Sequence, residues 1–399
     1  MALHIRYLCG VALSFFPKYT LKLMNRFDIS SMEISGPSID EFFSPSGYYF
    51  DKHRAGKKNE VDLTREKELA DKWQIKYANT IIEISLYYGG ILQHGRGSDL
   101  ILHPRLYATF PPTNNANYVF DVFSIISRFL QFVQHNSSPR KYKVYLRGNE
   151  PEYNSGYLYD WKTRGLDPER YYSESEYCYF KPYMQQLLQF AANNLKMSLR
   201  FLPIKGYRFG AEDYITEDIT TLFSAFESEY KANLSLFGDR EMTDINAIKS
   251  EVIQHIYQCD TMNLNSNEKL FLNQAIEQIK RLGTQTGQTK KLKNVITYFE
   301  PILLSSAENL FIRNHIGNKS GFTKEEISTI ATKIVNLRSQ ASHEYTLVEY
   351  SEIQAEYLHF LEILVYIQML KRAGIDDSGI ELIIGVLFHC NHIYMKRYI

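Results

Sequence analysis

With 399 residues the chain has room for two or three domains of ordinary size. Its 44% hydrophobic and 23% charged residues are ordinary for a globular protein with more than one buried core. A formal net charge of +0 excludes a global basic field that would draw in nucleic acid, so any RNA contact must come from a local patch. The four cysteines, Cys9, Cys178, Cys259 and Cys390, lie far apart and form no C-x-x-C pair. That argues against a disulfide framework or a cysteine-rich zinc site and points to a reducing, cytoplasmic setting. No apolar run reaches the ~18 residues of a spanning helix, so no membrane association is expected. The apolar stretch from Leu8 to Phe16 follows Arg6 and loosely resembles a short signal peptide. Its basic region is weak and no small-residue cleavage site follows, so a first strand is the better reading.

The first ~210 residues read as mixed and strand-rich. Tyr19 to Met24, Thr80 to Tyr87, Leu100 to Leu102, Leu106 to Phe110, Tyr142 to Leu146 and Ser198 to Leu202 are the strand candidates. Gly89-Gly90, Gly95-Arg96-Gly97 and Pro111-Pro112 are read as turns between them. Amphipathic helices are expected at about Tyr118 to Gln134 and Lys181 to Leu195. The charged stretch Lys52 to Lys72 and the acidic, tyrosine-rich stretch Asn149 to Tyr177 read as loops.

After about Tyr214 the period becomes 3.6 and stays there. Helices are expected near 216–232, 243–259, 266–282, 288–304, 323–342, 351–373 and 378–398. Thr323-x-x-Glu326, Ser351-x-x-Gln354 and Ser378-x-x-Glu381 fit the capping box, in which two orphan N–H groups are satisfied reciprocally. Gly283, Gly321 and Gly374 punctuate helix ends. Short loops between such helices imply antiparallel neighbours and hence a bundle. The fold expected is α+β: a strand-rich mixed domain over 1–212, then an all-α region over 213–399 with its core from about 240.

The chemistry concentrates in the helix opened by Thr323. Its apolar residues are Ile327, Ile330, Ala331, Ile334, Val335 and Leu337. Arg338 lies eleven residues after Ile327, within roughly 20° of it around the axis, and so sits on the apolar stripe. An unpaired charge there would be costly, so Arg338 must be paired or face a cleft or a partner. His343 follows near the helix end, then Tyr345.

The segment Arg338-Ser339-Gln340-Ala341-Ser342-His343-x-Tyr345 resembles the R-x4-H-x-Y form of the HEPN signature. The wider layout is similar to ApeA-like HEPN proteins of bacterial antiviral defence, which place a strand-rich domain before a HEPN domain. His103-Pro104-Arg105-Leu106-Tyr107-Ala108-Thr109-Phe110, the helix at Phe120 to Val133 and Tyr142 to Leu146 carry that likeness in the first half. The resemblance implies a metal-independent endoribonuclease of a defence or toxin system, with Arg338, His343 and Tyr345 at its centre. It implies a homodimer formed through the C-terminal helices, with arginine and histidine at the cleft between protomers. RNA would be the substrate, and the first domain would sense a trigger. No cofactor or metal is expected, because the nucleophile is the RNA 2′-OH. The alternative is a non-catalytic HEPN module that binds RNA or protein. In the plainest reading Arg338 forms a buried ion pair and His343 is a C-terminal helix residue favoured by the helix dipole.

The string alone is not specific. Arg96…His103 and Arg128…His135 match the looser spacing, but the first is strand-like and the second sits in the strand-rich half. His389, Cys390 and His392 cluster on the last helix, with no carboxylate to complete a metal site. Lys280, Arg281, Lys290, Lys291 and Lys293 form a small basic run that reads as a solvated helix face or an RNA-facing patch.

Overall fold

The computed structural model describes residues 12–16, 19–23, 28–44, 68–92, 100–134, 142–148, 154–160, 177–195, 216–237, 241–258, 264–281, 287–306, 321–343 and 352–388. By contact the chain divides into two compact units. One joins Met1–Asp213 to Ala373–Ile399, and the other is Tyr214–Arg372.

The first unit is built on an antiparallel sheet of eight strands: β1 (Ala12–Phe16), β2 (Tyr19–Leu23), β3 (Ile29–Ser35), β4 (Glu68–Tyr77), β5 (Thr80–Leu92), β6 (Leu100–Thr113), β7 (Lys143–Gly148) and β8 (Asn154–Asp160). Their order across the sheet is β1-β2-β8-β7-β3-β6-β5-β4. Register follows the side-chain period of two. Met32 pairs with Ala108 and with Leu146, and Ile34 with Leu106 and Val144, so β3, β6 and β7 present one apolar face. Helices α1 (Pro37–Phe42), α2 (Ala116–Val133), α3 (Tyr177–Phe180) and α4 (Met184–Asn193) belong to this unit. Helix α1 packs on β3 and β6, and α2 on β6. Phe42 lies within ring-contact distance of Phe43, Phe129, Tyr177 and Phe180, and these aromatics seal the core. Each such ring, when fully buried, contributes roughly 1.5–3 kcal/mol.

Edge strand β4 is covered by α4. Gln185 accepts from the Gln74 amide at 3.1 Å and donates to the Gln74 carbonyl, and Gln189 treats Lys76 the same way at 2.8 and 3.0 Å. The β4–β5 turn is the two-residue Ala78-Asn79, with φ of 47° and 62°, the positive values a primed hairpin turn demands.

The second unit contains α5 (Thr216–Ala232), α6 (Glu241–Gln258), α7 (Ser266–Arg281), α8 (Gln288–Tyr298), α9 (Glu300–Ser306), α10 (Lys324–His343) and α11 (Glu352–Arg372). Four of them share a core: α5 against α11 and α10, and α10 against α8 and α11. The core includes Leu222, Phe223, Phe226, Val295, Ile330, Ile334, Leu361 and Leu364, all buried. Helix α11 is buried all round from Tyr357 to Leu370, as befits the central member of a bundle. Its terminal Arg372 donates from Nε and Nη2 to both oxygens of Glu229, at 2.8 and 2.7 Å, a bidentate tie between α11 and α5.

The helix positions agree with the sequence reading to within a few residues, except that 288–304 is two helices, α8 and α9, and that of 378–398 only the part up to Leu387 is helix among the described residues. The Thr323 capping box forms. Glu326 accepts from the Thr323 amide at 2.8 Å, and the Glu326 amide donates to the Thr323 hydroxyl at 3.2 Å. Ser351, Gly283 and Ser198–Leu202 lie outside the described residues. Ser378 is not a cap. It sits in the first turn of α12 (Asp377–Leu387), whose N-cap is Asp376, accepting from the Gly379 amide. Asp376 stands where its carboxylate reaches the Gly379 amide, and the Ser378 hydroxyl donates to that same carboxylate at 3.0 Å.

Further expectations are corrected. Gly89-Gly90 and Pro111-Pro112 lie inside β5 and β6 rather than in turns, and 100–113 is one strand rather than two. The expected loops at 52–72 and 149–177 contain the start of β4 and all of β8. The sequence reading groups 213–399 together with a core from about 240. By contact α12 falls with the sheet unit, and α5, before residue 240, is central to the bundle. Helical period reveals that a stripe is buried, not which neighbour buries it. Tyr357, Phe360, Leu361, Leu364 and Val365 of α11 are all buried in the core of the unit itself.

Candidate functional site

Arg338 emerges from α10 at the margin of the buried stripe formed by Ile327, Ile330, Ala331, Ile334, Leu337 and Ala341. Its guanidinium stands over the Phe223 ring of α5, 5.6 Å from the centroid, a cation–π arrangement. Nη1 donates to Glu227 Oε1 at 3.2 Å. Phe223 and Glu227 are one turn apart, so a single face of α5 supplies both the platform and the counter-charge.

Helix α8 completes the cluster. Gln288 donates to the same Glu227 oxygen at 2.7 Å. Lys291 Nζ lies 3.9 Å from that oxygen and 5.9 Å from the centroid of Tyr230. Asn294 donates to the Tyr230 hydroxyl at 3.0 Å. Two cations thus surround one carboxylate, with Arg338 at 37% and Glu227 at 35% side-chain exposure. The planar fork of Arg338, 37% exposed, has the geometry to bind an anion such as a phosphodiester.

His343 is the last residue of α10, which runs from 324 to 343 as one helix. Positions 338 and 343 therefore lie about 140° apart around its axis. The side chain of His343 and the whole of Tyr345 lie outside the described residues, so the structure locates only Arg338 of the three expected site residues. Glu227 and Gln288 were missed by sequence reasoning. Lys291 belongs to the basic run legible in the sequence, but its approach to Glu227 was not legible there.

The other candidates separate clearly. His103 lies on β6, with Nδ1 3.5 Å from Asp40. Burial raises the Asp40 carboxyl, and His103 opposes that rise. Arg128 lies on α2 and donates to the Leu195 carbonyl, tying α2 to the end of α4; burial pushes its guanidinium pKa down. Arg96, His135, His389, Cys390 and His392 lie outside the described residues. Among the described residues no group of three or more His, Cys, Asp or Glu side chains is placed to hold a metal. Nor is any described helix long and apolar enough to cross a membrane.

A second polar cluster, also missed, lies on the sheet face away from the core. Glu33 on β3 is buried, with side-chain exposure of 3%. It accepts from Arg105 of β6 at 2.7 Å and from Arg147 of β7. Tyr107, opposite Glu33 in register, also donates to it; burial and this acceptor push the phenol up to about 12. Both arginines hold the carboxylate from flanking strands, so the cluster stitches three strands together.

No family model, no curated protein and no solved structure matches the chain.

Proposed function

We propose that the chain is a metal-independent endoribonuclease of an antiviral defence or toxin system, with Arg338 and His343 in the reaction and Tyr345 completing the motif. The observation that carries this reading is the solvent-reachable Arg338 beside Lys291 on a four-helix core, five residues before a histidine. His343 takes the proton of the RNA 2′-OH, whose oxygen attacks the adjacent phosphorus, and a proton is returned to the departing 5′-oxygen. Arg338 stabilises charge on the phosphoryl oxygens through its planar fork, and Lys291 adds a point charge. The products are a 2′,3′-cyclic phosphate and a 5′-OH. The 140° divergence of positions 338 and 343 is met by a homodimer in which the two groups come from different copies. The sheet unit, on this reading, senses the trigger and does no chemistry.

The test is cleavage of a mixed RNA by purified protein with and without EDTA, beside Arg338→Ala and His343→Ala. Expected are metal-independent cleavage, loss of about 100-fold or more in each variant, and cyclic phosphate ends. Undiminished cleavage by Arg338→Ala, or 3′-OH and 5′-phosphate ends, would overturn the assignment.

One observation favours a second reading. Arg338 is already paired with Glu227 inside its own bundle, as in a module that binds RNA or protein without cutting. RNA retention by wild type with no cleavage, weakened by Arg338→Ala, is the outcome specific to that reading.

A further inference from the structure

Three donors from two helices converge on a single oxygen of Glu227. Gln288 Nε2 stands 2.7 Å and Lys291 Nζ 3.9 Å from Oε1, both from α8, and Arg338 Nη1 approaches it to 3.2 Å from α10. The donors are positioned by contacts other than Glu227. Arg338 lies over Phe223, and Lys291, only 18% exposed, lies over Tyr230. Tyr230 is itself fixed, its hydroxyl accepting from Asn294 and its ring stacked on Phe237 at 4.9 Å. Gln288 and Lys291 are one turn apart on α8 and so present one edge. Donors fixed by packing around one anionic oxygen form a receptor for an anion, and α5 supplies that anion from within the chain.

The grip on Glu227 is uneven. Its short bond comes from the neutral amide of Gln288, while both cations stand farther off than the about 2.7–2.9 Å of a good charge-assisted bond. Glu229, two residues along α5, shows a tight tie in the same bundle: Arg372 holds both of its oxygens, at 2.8 and 2.7 Å, and its side chain is 3% exposed. Glu227 is 35% exposed and meets its donors through one oxygen. Exposed pairs of this kind are weak. A phosphodiester brings two charged oxygens, so it can fill the Arg338 fork and meet Lys291 together. Once displaced, Glu227 has an exposed cation in reach. Lys231 lies four residues on, the spacing and order at which glutamate and lysine pair on a helix.

We propose that Glu227 is a displaceable guard of the phosphate site: in the resting chain its carboxylate holds the place that an RNA phosphodiester takes among Arg338, Lys291 and Gln288, and RNA binds by turning it out toward Lys231. The inference rests on the reading of Arg338 as a residue that meets RNA phosphate, which the cutting and the non-cutting proposals share. Affinity is then a difference between two anions competing for one set of donors. An RNA held by further contacts displaces the carboxylate, and one that touches only this site is resisted by it.

The test measures binding apart from cleavage. The probe is a short fluorescein-labelled oligonucleotide with 2′-O-methyl groups throughout, which has phosphodiesters but no 2′-OH to attack them. Its affinity for the full chain is read by fluorescence anisotropy, with circular dichroism confirming unchanged helix content. Glu227→Gln keeps the size of the side chain and removes its charge, and is expected to tighten binding by at least about 3-fold, the scale of one exposed ion pair. In an Arg338→Ala background the same change is expected to gain less than about 2-fold, because the fork it unmasks is gone. Glu325→Gln is the control for charge alone. Glu325 is exposed in the first turn of the same helix as Arg338, thirteen residues before it and ~20 Å away along the axis, and its loss should leave affinity unchanged. A smaller gain from Glu227→Gln, an equal gain from Glu325→Gln, or a gain that survives in the Arg338→Ala background would overturn the proposal. Arg338→Ala by itself tests the reading beneath. If it leaves binding unchanged, that reading has failed and the inference with it. If it weakens binding while Glu227→Gln gains nothing, the inference alone has failed.

Discussion

Arg338→Ala removes a guanidinium that is 37% exposed and 3.2 Å from a carboxylate itself 35% exposed. Ion pairs of that exposure contribute about 0.2–1 kcal/mol, and a half-exposed cation–π contact about 0.5–1 kcal/mol. The expected loss of stability is therefore about 1 kcal/mol and no more than about 2 kcal/mol. The bundle supplies its own control. Arg372 binds Glu229, whose side chain is 3% exposed, through two short hydrogen bonds. Arg372→Ala strands that carboxylate in the core, which costs about 3–5 kcal/mol. Urea unfolding followed by circular dichroism reads both values, and the same preparations go into the RNA cleavage assay. The expected pattern is crossed: Arg338→Ala stable and inactive, Arg372→Ala destabilised yet active wherever it remains folded. If Arg338→Ala lost about 3 kcal/mol or more, Arg338 would be a structural tie like Arg372, and the catalytic reasoning would fail.

Two predictions concern the sheet unit. Glu33→Ala leaves Arg105 and Arg147 without their shared acceptor. Both guanidiniums regain water, so the cost should be roughly 2–3 kcal/mol, below that of a fully buried pair, read as a lower urea midpoint; an unchanged midpoint would remove Glu33 as the stitch. The second concerns alkali. In the folded state the Tyr107 phenol is pushed up to about 12 by burial and by Glu33, so it keeps a proton that the unfolded chain releases near ~10. Its stabilisation is complete below that pH and is lost as pH rises through the folded value. Tyr107→Phe should therefore flatten the fall in urea midpoint between ~pH 10 and 12, and an identical slope in both proteins would refute the linkage.

Most of the second half was legible because each helix carries its own signal. The apolar stripe of α10 with the Thr323–Glu326 box fixes where the helix starts and which face is inward, and both are local. Arg338's position on that stripe was legible for the same reason. Its partner was not: Glu227 lies 111 residues away, and nothing in the α5 pattern distinguishes it from other surface carboxylates. Strand β3 was missed because Ser30, Ser31 and Glu33 make it look polar, although Met32 and Ile34 point inward. Strand β8, Asn-Ser-Gly-Tyr-Leu-Tyr-Asp, exists through its pairing with β2 and β7 rather than through its own propensity. The apolar run of α11 marked burial, and the bundle itself accounts for it.

The two glutamines on α4 have a consequence for how the sheet meets other chains. Each amide presents to β4 one acceptor and one donor, the same pair of groups that a residue of an adjoining strand would offer. Gln74 and Lys76 are thus occupied as though a ninth strand were present, and an incoming extended peptide finds no free ladder there. Growth of the sheet by strand addition, whether for recognition or as a route to fibrils, is closed at that edge unless α4 first lifts away. Two side chains therefore serve as the stop that ends an antiparallel sheet.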